Sequence, residues 1–84
     1  MKGLSFAPVE AKLDQPRVVL SGDSEVLIEQ HAGLFSYESK CVRVRTKRGL
    51  ISVTGENLLI SYFGIQDLMI QGHVSGIALQ GETT

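Results

Sequence analysis

The chain has 84 residues, enough for one domain, and its formal net charge of −1 produces no global field that would favour nucleic acid. Hydrophobic residues make up 43% of the sequence but aromatic residues only 6%, so we expect a core of Val, Ile and Leu. The single cysteine, Cys41, excludes an intrachain disulfide, and no segment approaches the roughly 18 consecutive apolar residues of a membrane-spanning helix. These properties predict a cytosolic protein that does not insert into a membrane.

The first 15 residues differ from the remainder of the chain. Their apolar residues form only a broken run, which is too weak for a signal peptide. Residues 9–13, after Pro8, could form one helical turn or an extended arm, and Pro16 disfavours helix at the residue before it. We therefore expect a loosely ordered lead-in over residues 1–15, a β-domain over residues 16–80 and a frayed tail over residues 81–84.

From residue 16 onward, short aliphatic segments alternate with breaks that contain glycine. Alternation with a period of two is seen in residues 17–21, 25–30, 34–38, 41–46, 50–54, 57–63, 67–71 and 74–79. This pattern predicts an all-β domain of about eight short strands, arranged as a rolled antiparallel meander or a two-layer sandwich. The alternative is a short β-solenoid or arc stack, although similar glycine-containing strand ends recur at irregular intervals of 33 and 17 residues.

Those strand ends share an aliphatic–polar–glycine pattern at residues 20–22, 53–55 and 70–72. Glycine readily adopts the positive φ that tight hairpin turns require. We therefore expect Gly22, Gly55 and Gly72 to lie at turns. The pairs Gly22-Asp23 and Gly55-Glu56 would suit a type II′ turn with glycine at its first central position.

Alternation also assigns side chains to faces. In residues 41–46, Arg43 and Arg45 point outward, opposite two valines. Residues 57–63 are apolar on both faces, with Leu59 and Phe63 expected on the same side. Such a strand is either covered on both sides or presents one side to a partner. Because so short a chain buries only about 60% of its unfolded surface, we expect a homo-oligomer or a monomer stabilised by its partner.

Basic residues are concentrated in one stretch. Five of the eight lie within nine positions: Lys40, Arg43, Arg45, Lys47 and Arg48. A basic strand can bind phosphate or anionic lipid headgroups. The simpler interpretation is a solvated outer face, or an edge strand protected by charge against aggregation. No aromatic residue interleaves these bases, as a platform for single-stranded nucleic acid would need.

Residues suited to chemistry are few and scattered. His31 and His73 are the only histidines, and with Cys41 they do not supply the three or four suitably spaced ligands of a zinc site. The carboxylates show no paired pattern, and the glycines form neither a phosphate-binding loop nor a dinucleotide fingerprint. We expect each histidine to cap a turn, and we expect no catalytic residue, metal or cofactor, so the chain is not expected to be an enzyme.

Several stretches in their order resemble the YabP/YqfC family of sporulation proteins, most closely its YqfC branch. They are PRVVLSG (residues 16–22), VLIEQH (26–31), GLFSY (33–37), VRVRT (42–46), GLISVTG (49–55), NLLI (57–60) and LMIQGHVSGI (68–77). The likeness covers about residues 16–79. The chain departs from the family pattern at Gln30, where Asn would be expected, and at Ala78-Leu79, where a bulkier residue and an aromatic end would be expected.

The resemblance implies a small cytosolic protein made in the mother cell during endospore formation. It implies a role in assembling the spore envelope, at the periphery of the forespore outer membrane, with a membrane-embedded sporulation protein as partner. It brings no catalytic residue or cofactor. The sequence thus favours a non-enzymatic interaction module that docks through apolar strand faces. The alternative is a peripheral anion-binding module that uses residues 40–48 on phospholipid or nucleic acid.

Overall fold

The computed structural model describes residues 15–81, which form strands, turns and bends. This confirms the all-β prediction, and the described residues contain no helix. The predicted lead-in, including the possible turn at residues 9–13, falls outside the described residues except for Gln15, and residues 82–84 are also outside them. The strands are β1 (Arg17–Ser21), β2 (Glu25–Glu29), β3 (His31–Glu38), β4 (Cys41–Thr46), β5 (Gly49–Phe63) and β6 (Asp67–Gly81).

There are six strands rather than the expected eight because two pairs of segments are continuous. Residues 50–54 and 57–63 lie in β5, and residues 67–71 and 74–79 lie in β6. Gly55 and Gly72, which were expected to turn the chain, instead lie inside these long strands. The pairing of β5 with β6 shifts in register between Thr54 and Gly55 and again between Glu56 and Leu59. Such irregularities bend a strand without ending it.

The glycine predictions therefore have different outcomes. Gly22 does lie in the β1–β2 turn, with φ of 59°, and the Ser24 N–H donates to the Ser21 carbonyl at 3.2 Å. Gly72 has the expected positive φ, 139°, but within a strand. The turn prediction for Gly55 is wrong. Its Cβ would lie 1.9 Å from a backbone carbonyl oxygen of β6, so glycine is required there by close approach of two strands.

The strands form one antiparallel sheet in the order β1-β2-β6-β5-β4-β3. Strands β3 to β6 form the expected meander, but the β1–β2 hairpin pairs with the far side of β6 instead of with β3. All neighbouring pairs among the described residues are antiparallel, which excludes the solenoid alternative. The strands that begin and end the sheet are therefore β1 and β3.

The bend in the long hairpin divides the sheet into two halves. The β1–β2 half contains β1, β2 and residues 56–63 and 67–73, whereas the β3–β4 half contains β3, β4 and residues 49–55 and 74–81. Both halves contribute to one buried cluster, so their inner sides face each other. As expected, its members are all Val, Ile or Leu: Val26, Ile28, Val42, Val44, Ile51, Val53, Leu58, Leu68, Ile70 and Val74.

Two turns stabilise the bend. A bulged strand leaves backbone donors without ladder partners, and buried donors need acceptors. The β3–β4 turn supplies them to β5: the Gly55 N–H donates to the Lys40 carbonyl at 3.0 Å and the Leu58 N–H to the Ser39 carbonyl at 2.8 Å. The β1–β2 turn does the same for β6, where the Gly72 and Val74 N–H groups donate to carbonyls of that turn at 3.1 and 2.7 Å.

Candidate interaction surfaces

The basic residues predicted from the sequence all lie on the β3–β4 half. Arg43 and Arg45 are exposed on the outer side of β4, alternating with buried Val42 and Val44, which confirms their predicted orientation. Lys40 lies in the β3–β4 turn, and residues 47–48 form the β4–β5 turn. The structure thus groups these cations on one side of the sheet, although only the two arginines share a strand face.

An aromatic ring accompanies this group, although no aromatic residue interleaves the bases in the sequence. The guanidinium carbon of Arg45 lies 4.8 Å from the ring centroid of Phe35, a cation–π contact. At an exposed site such a contact contributes about 0.5–1 kcal/mol. Phe35 is ten residues away in the chain, and it is brought to Arg45 by the pairing of β3 with β4. Sequence spacing alone could not reveal this neighbour.

Leu59 and Phe63 belong to a second surface at the end of the β5–β6 hairpin. Four large apolar side chains there are more than half exposed: Leu59 (55%), Tyr62 (58%), Phe63 (54%) and Ile65 (95%). We call these four residues the apolar tip. A single chain therefore leaves part of this strand uncovered. The structure therefore does not support the first possibility raised by the pattern, that one chain covers this strand on both sides.

Leu59 and Phe63 do not share a face, so that prediction is wrong. A register shift between Ile60 and Tyr62 makes Ser61 an extra residue. Leu59 consequently pairs with outward-facing Gln71, whereas Phe63 pairs with Leu68 of the core. A shift of one residue moves every later side chain to the opposite face. Tyr62, paired with Met69, takes the outward position instead.

The inner side of the sheet is also open at β1. Val18 pairs with Ile28 and Leu20 with Val26, so both point to the same side as the core. They are nonetheless partly exposed, because the outer edge of β1 pairs with no strand among the described residues. The apolar inner layer therefore ends at a strand edge with unpaired backbone groups.

Each histidine was expected to cap a turn, and each has one partner in a connection between strands. Nε2 of His31 donates to the Gly64 carbonyl at 2.9 Å, and its Nδ1 accepts from the Gly33 N–H at 3.0 Å. The same ring packs on Phe63 with 5.2 Å between centroids. These contacts tie the start of β3 to the β5–β6 connection. His73 has only an exposed partner, Asp23 of the β1–β2 turn, at 3.5 Å.

A cleft of about 540 Å³ opens beside the basic residues. The start of β3, the end of β4, the start of β5 and the end of β6 form its walls, and Arg45 is the ionisable residue among those lining it. The cleft could not be predicted from the sequence because its walls come from distant segments. Within residues 15–81, no group of three or more His, Cys, Asp or Glu side chains could hold a metal ion.

The fold and its surfaces define a small, bent antiparallel β-domain with a basic side and an exposed apolar tip. The chain belongs to the YabP family, whose model matches residues 12–84. It is similar to the uncharacterized protein YqfC of Bacillus subtilis (strain 168), with 27% identity over 67 residues, which cover 80% of this chain and 72% of that protein. No solved structure matches the chain.

These comparisons confirm the family resemblance, and family membership is consistent with a sporulation protein. Among the residues that the structure describes, no helix is long and apolar enough to cross a membrane.

Proposed function

We propose that this chain is a non-enzymatic interaction module of sporulation that acts in assembly of the spore envelope, cortex or coat. It works in the mother-cell cytoplasm, at the periphery of the forespore outer membrane. There it docks to a membrane-embedded sporulation protein through the apolar tip. Membership of the YabP family supports the sporulation role, and the exposure of the tip supports the docking role.

The observation that carries the docking proposal is the density of exposed apolar side chains at the tip. The four residues lie within seven positions, and Ile65 is 95% exposed. Burying one large aliphatic or aromatic side chain contributes about 1.5–3 kcal/mol. A cluster of exposed apolar side chains on a small soluble domain is typical of an interaction site. Leu59 and Tyr62 share the outer face of the strand, whereas Phe63 lies on the inner face. A partner that covers the tip would therefore gain nearly the whole of such a contribution at Ile65 and about half of one at each of the other three residues.

The structural engagement of the histidines supports a non-enzymatic role. Both ring nitrogens of His31 are occupied by backbone partners, so neither is available to a substrate in this conformation. His73 and Asp23 form an exposed pair beside a turn, outside the cleft. His31 thus holds the start of β3 to the β5–β6 connection, whereas His73 contributes only an exposed pair.

Site-specific photo-crosslinking in sporulating cells tests the docking. A photoreactive phenylalanine analogue placed at Ile65 should crosslink to an integral membrane protein. The same analogue at Glu38, which is exposed on the other half of the sheet, is the matched control and should not. Equal crosslinking from both positions, or none to a membrane protein from Ile65, would contradict the proposal.

A genetic test addresses the role in the envelope. The triple variant Leu59→Ser/Tyr62→Ser/Ile65→Ser should fold, because all three side chains are more than half exposed. It should nevertheless fail to restore heat-resistant spores to a strain lacking the gene. Circular dichroism checks the fold. Full restoration by the folded variant would show that the tip is not needed.

A second candidate function is peripheral binding of anions, on phospholipid or nucleic acid. The observation that favours it is the pair Arg43 and Arg45 on one face, with Arg45 held over Phe35. Binding led by charge weakens steeply as ionic strength rises, whereas apolar docking does not. Sedimentation with anionic and neutral vesicles, at low and high salt, distinguishes the two functions.

A further inference from the structure

Charge is distributed unevenly between the two halves of the sheet. Residues 15–81 contain six Lys or Arg and six Asp or Glu, so their formal charges cancel. Five of the six cations lie on the β3–β4 half, where Glu38 is the one carboxylate among the described residues. On the β1–β2 half, Arg17 is the corresponding lone cation, beside five carboxylates: Asp23, Glu25, Glu29, Glu56 and Asp67.

The two groups lie on opposite sides of the molecule. Glu25 and Glu29 alternate with core residues of β2, so they point away from the core. Asp67 pairs with Glu29 and points the same way. Arg43 and Arg45 likewise point away from the core on the other half. Because the inner sides of the two halves face each other, one outer face is acidic and the other is basic.

We propose that the basic outer face of one copy docks on the acidic outer face of a second copy, in a head-to-tail arrangement. This self-association goes beyond the docking to a membrane partner and does not depend on it. The acidic and basic faces of the molecule complement each other. A second copy therefore offers a matching surface to either face. Complementary charge of this kind steers association and fixes the register of an interface.

A local feature of the acidic face supports the same arrangement. Glu29 and Asp67 are directly opposite each other on paired strands, and like charges in that position are destabilising. Arg17 reaches Glu29 at 3.3 Å, but no ion pair of Asp67 is found among the described residues. A cation from a second copy would relieve the repulsion. Arg43 and Arg45 lie two residues apart on one face. Carboxylates of a second copy would likewise relieve the repulsion between them.

The basic face also carries a fixed aromatic contact. Phe35 holds Arg45 at 4.8 Å and is itself exposed on the outer side. On the acidic face, Leu27 and Met69 are partly buried and Tyr62 is exposed, in one cross-strand row. Apolar area is thus present within both charged faces. A head-to-tail contact uses different surfaces on the two copies, so it adds further copies unless the rotation closes a ring.

Two charge reversals test the proposal by analytical ultracentrifugation at low salt. Arg43→Glu/Arg45→Glu cancels the formal charge of the β3–β4 half, and Glu25→Lys/Asp67→Lys cancels that of the β1–β2 half, so each variant keeps only one charged face. Each variant alone should associate at least about tenfold more weakly than the unmodified chain. An equimolar mixture should regain association, because it again contains faces of opposite charge. Melting curves establish that both variants fold.

The control is Glu38→Lys, a single charge reversal that removes the carboxylate from the basic side and changes the net charge by half as much as each double variant. It should associate at least as strongly as the unmodified chain. Raising the ionic strength should dissociate the unmodified assembly. An unmodified chain that stays monomeric at low salt would overturn the proposal, as would a mixture of the reversals that stays monomeric. Binding of the basic face to anionic vesicles without self-association would overturn it in favour of anion binding.

Discussion

Gly55 and Gly72 occupy the bend of the long hairpin for different physical reasons. A Cβ at Gly55 would lie 1.9 Å from the His73 carbonyl oxygen, so the limit there is the approach of one backbone to another. At Gly72, φ is 139° and a Cβ would lie 2.6 Å from the Asn57 carbonyl oxygen. At position 72, both the positive φ and the lack of room for a Cβ therefore require glycine.

We predict that Gly55→Ala lowers the free energy of unfolding by about 2–3 kcal/mol, because the neighbouring strand must move. Gly81→Ala is the matched control, since nothing lies within 4 Å of its Cβ position. Denaturant unfolding followed by circular dichroism measures both. Equal stability of the two variants would show that the bend tolerates a wider separation of the strands.

The two histidines offer a second comparison at the residue scale. We predict that His31→Phe lowers stability by about 1–3 kcal/mol, because it keeps a ring against Phe63 but leaves two backbone groups without partners. His73→Ala removes only an exposed pair and should change stability by less than about 0.5 kcal/mol. Thermal melts of both variants test this, and a larger loss from His73→Ala would contradict the assignment.

Residue-level reasoning from the sequence succeeded where only alternation mattered. The outward orientation of Arg43 and Arg45 follows from the period of two and needs no knowledge of neighbours. The positions of Leu59 and Phe63 could not be obtained in this way. The extra residue at Ser61 reverses the faces, and nothing in an aliphatic run marks where a bulge occurs.

At the scale of elements, the connection between β2 and β3 consists of one residue. Gln30 has φ of 66°, a left-handed conformation that is unfavourable for most residues with a side chain. This single residue redirects the chain from a strand paired with β6 to one paired with β4. Glutamine therefore stands at a position whose backbone is better suited to Asn or Gly.

We predict that Gln30→Asn raises the free energy of unfolding by about 0.5 kcal/mol, whereas Gln30→Val lowers it by about 1–2 kcal/mol. Asn tolerates the left-handed region better than Gln does, whereas the β-branched Val tolerates it less well. Chemical denaturation at matched conditions provides the measurement. A stabilising valine would indicate that the connection relaxes to negative φ.

Element boundaries were the least predictable part of the fold. The pattern located every strand segment, yet it divided β5 and β6 at the bend because their glycines were interpreted as turn residues. The actual cause of continuity is the pairing of each long strand with the other, together with donors satisfied by two distant turns. Those partners lie far away in the chain, so no local pattern contains them.

The whole molecule has one core shared by both halves. Ile70 lies in the β1–β2 half and Val44 in the β3–β4 half, yet both belong to the same buried cluster. Neither half can bury its inner side without the other. The domain should therefore unfold as a unit, in spite of the bend in its sheet.

We predict that Ile70→Val lowers the free energy of opening in both halves by the same amount, about 0.5–1.5 kcal/mol. Native-state hydrogen exchange at the slowest amides of β2 and β4 measures each half separately. Leu59→Ala, at an exposed position, is the control and should leave both values nearly unchanged. A loss confined to β2 would indicate two independent units.

The separation of charge could not have been predicted from the sequence, which shows only the basic stretch. The acidic face gathers residues as distant as Asp23 and Asp67, and it forms because β2 pairs with β6. Self-association was predicted from the sequence and stays a prediction. The head-to-tail contact of the basic and acidic faces is the specific geometry to test.

The placement of the β1–β2 hairpin also has a consequence for the order of folding. Strands β3 to β6 are neighbours in both chain and sheet, so their contacts close short loops and form early. The hairpin is synthesised first, but its place is beside β6, about 40 residues downstream. During translation it must wait without its partner strand, and its apolar side chains stay accessible until the last strand emerges from the ribosome. Chaperone contact and premature aggregation should accordingly concentrate on the beginning of this domain.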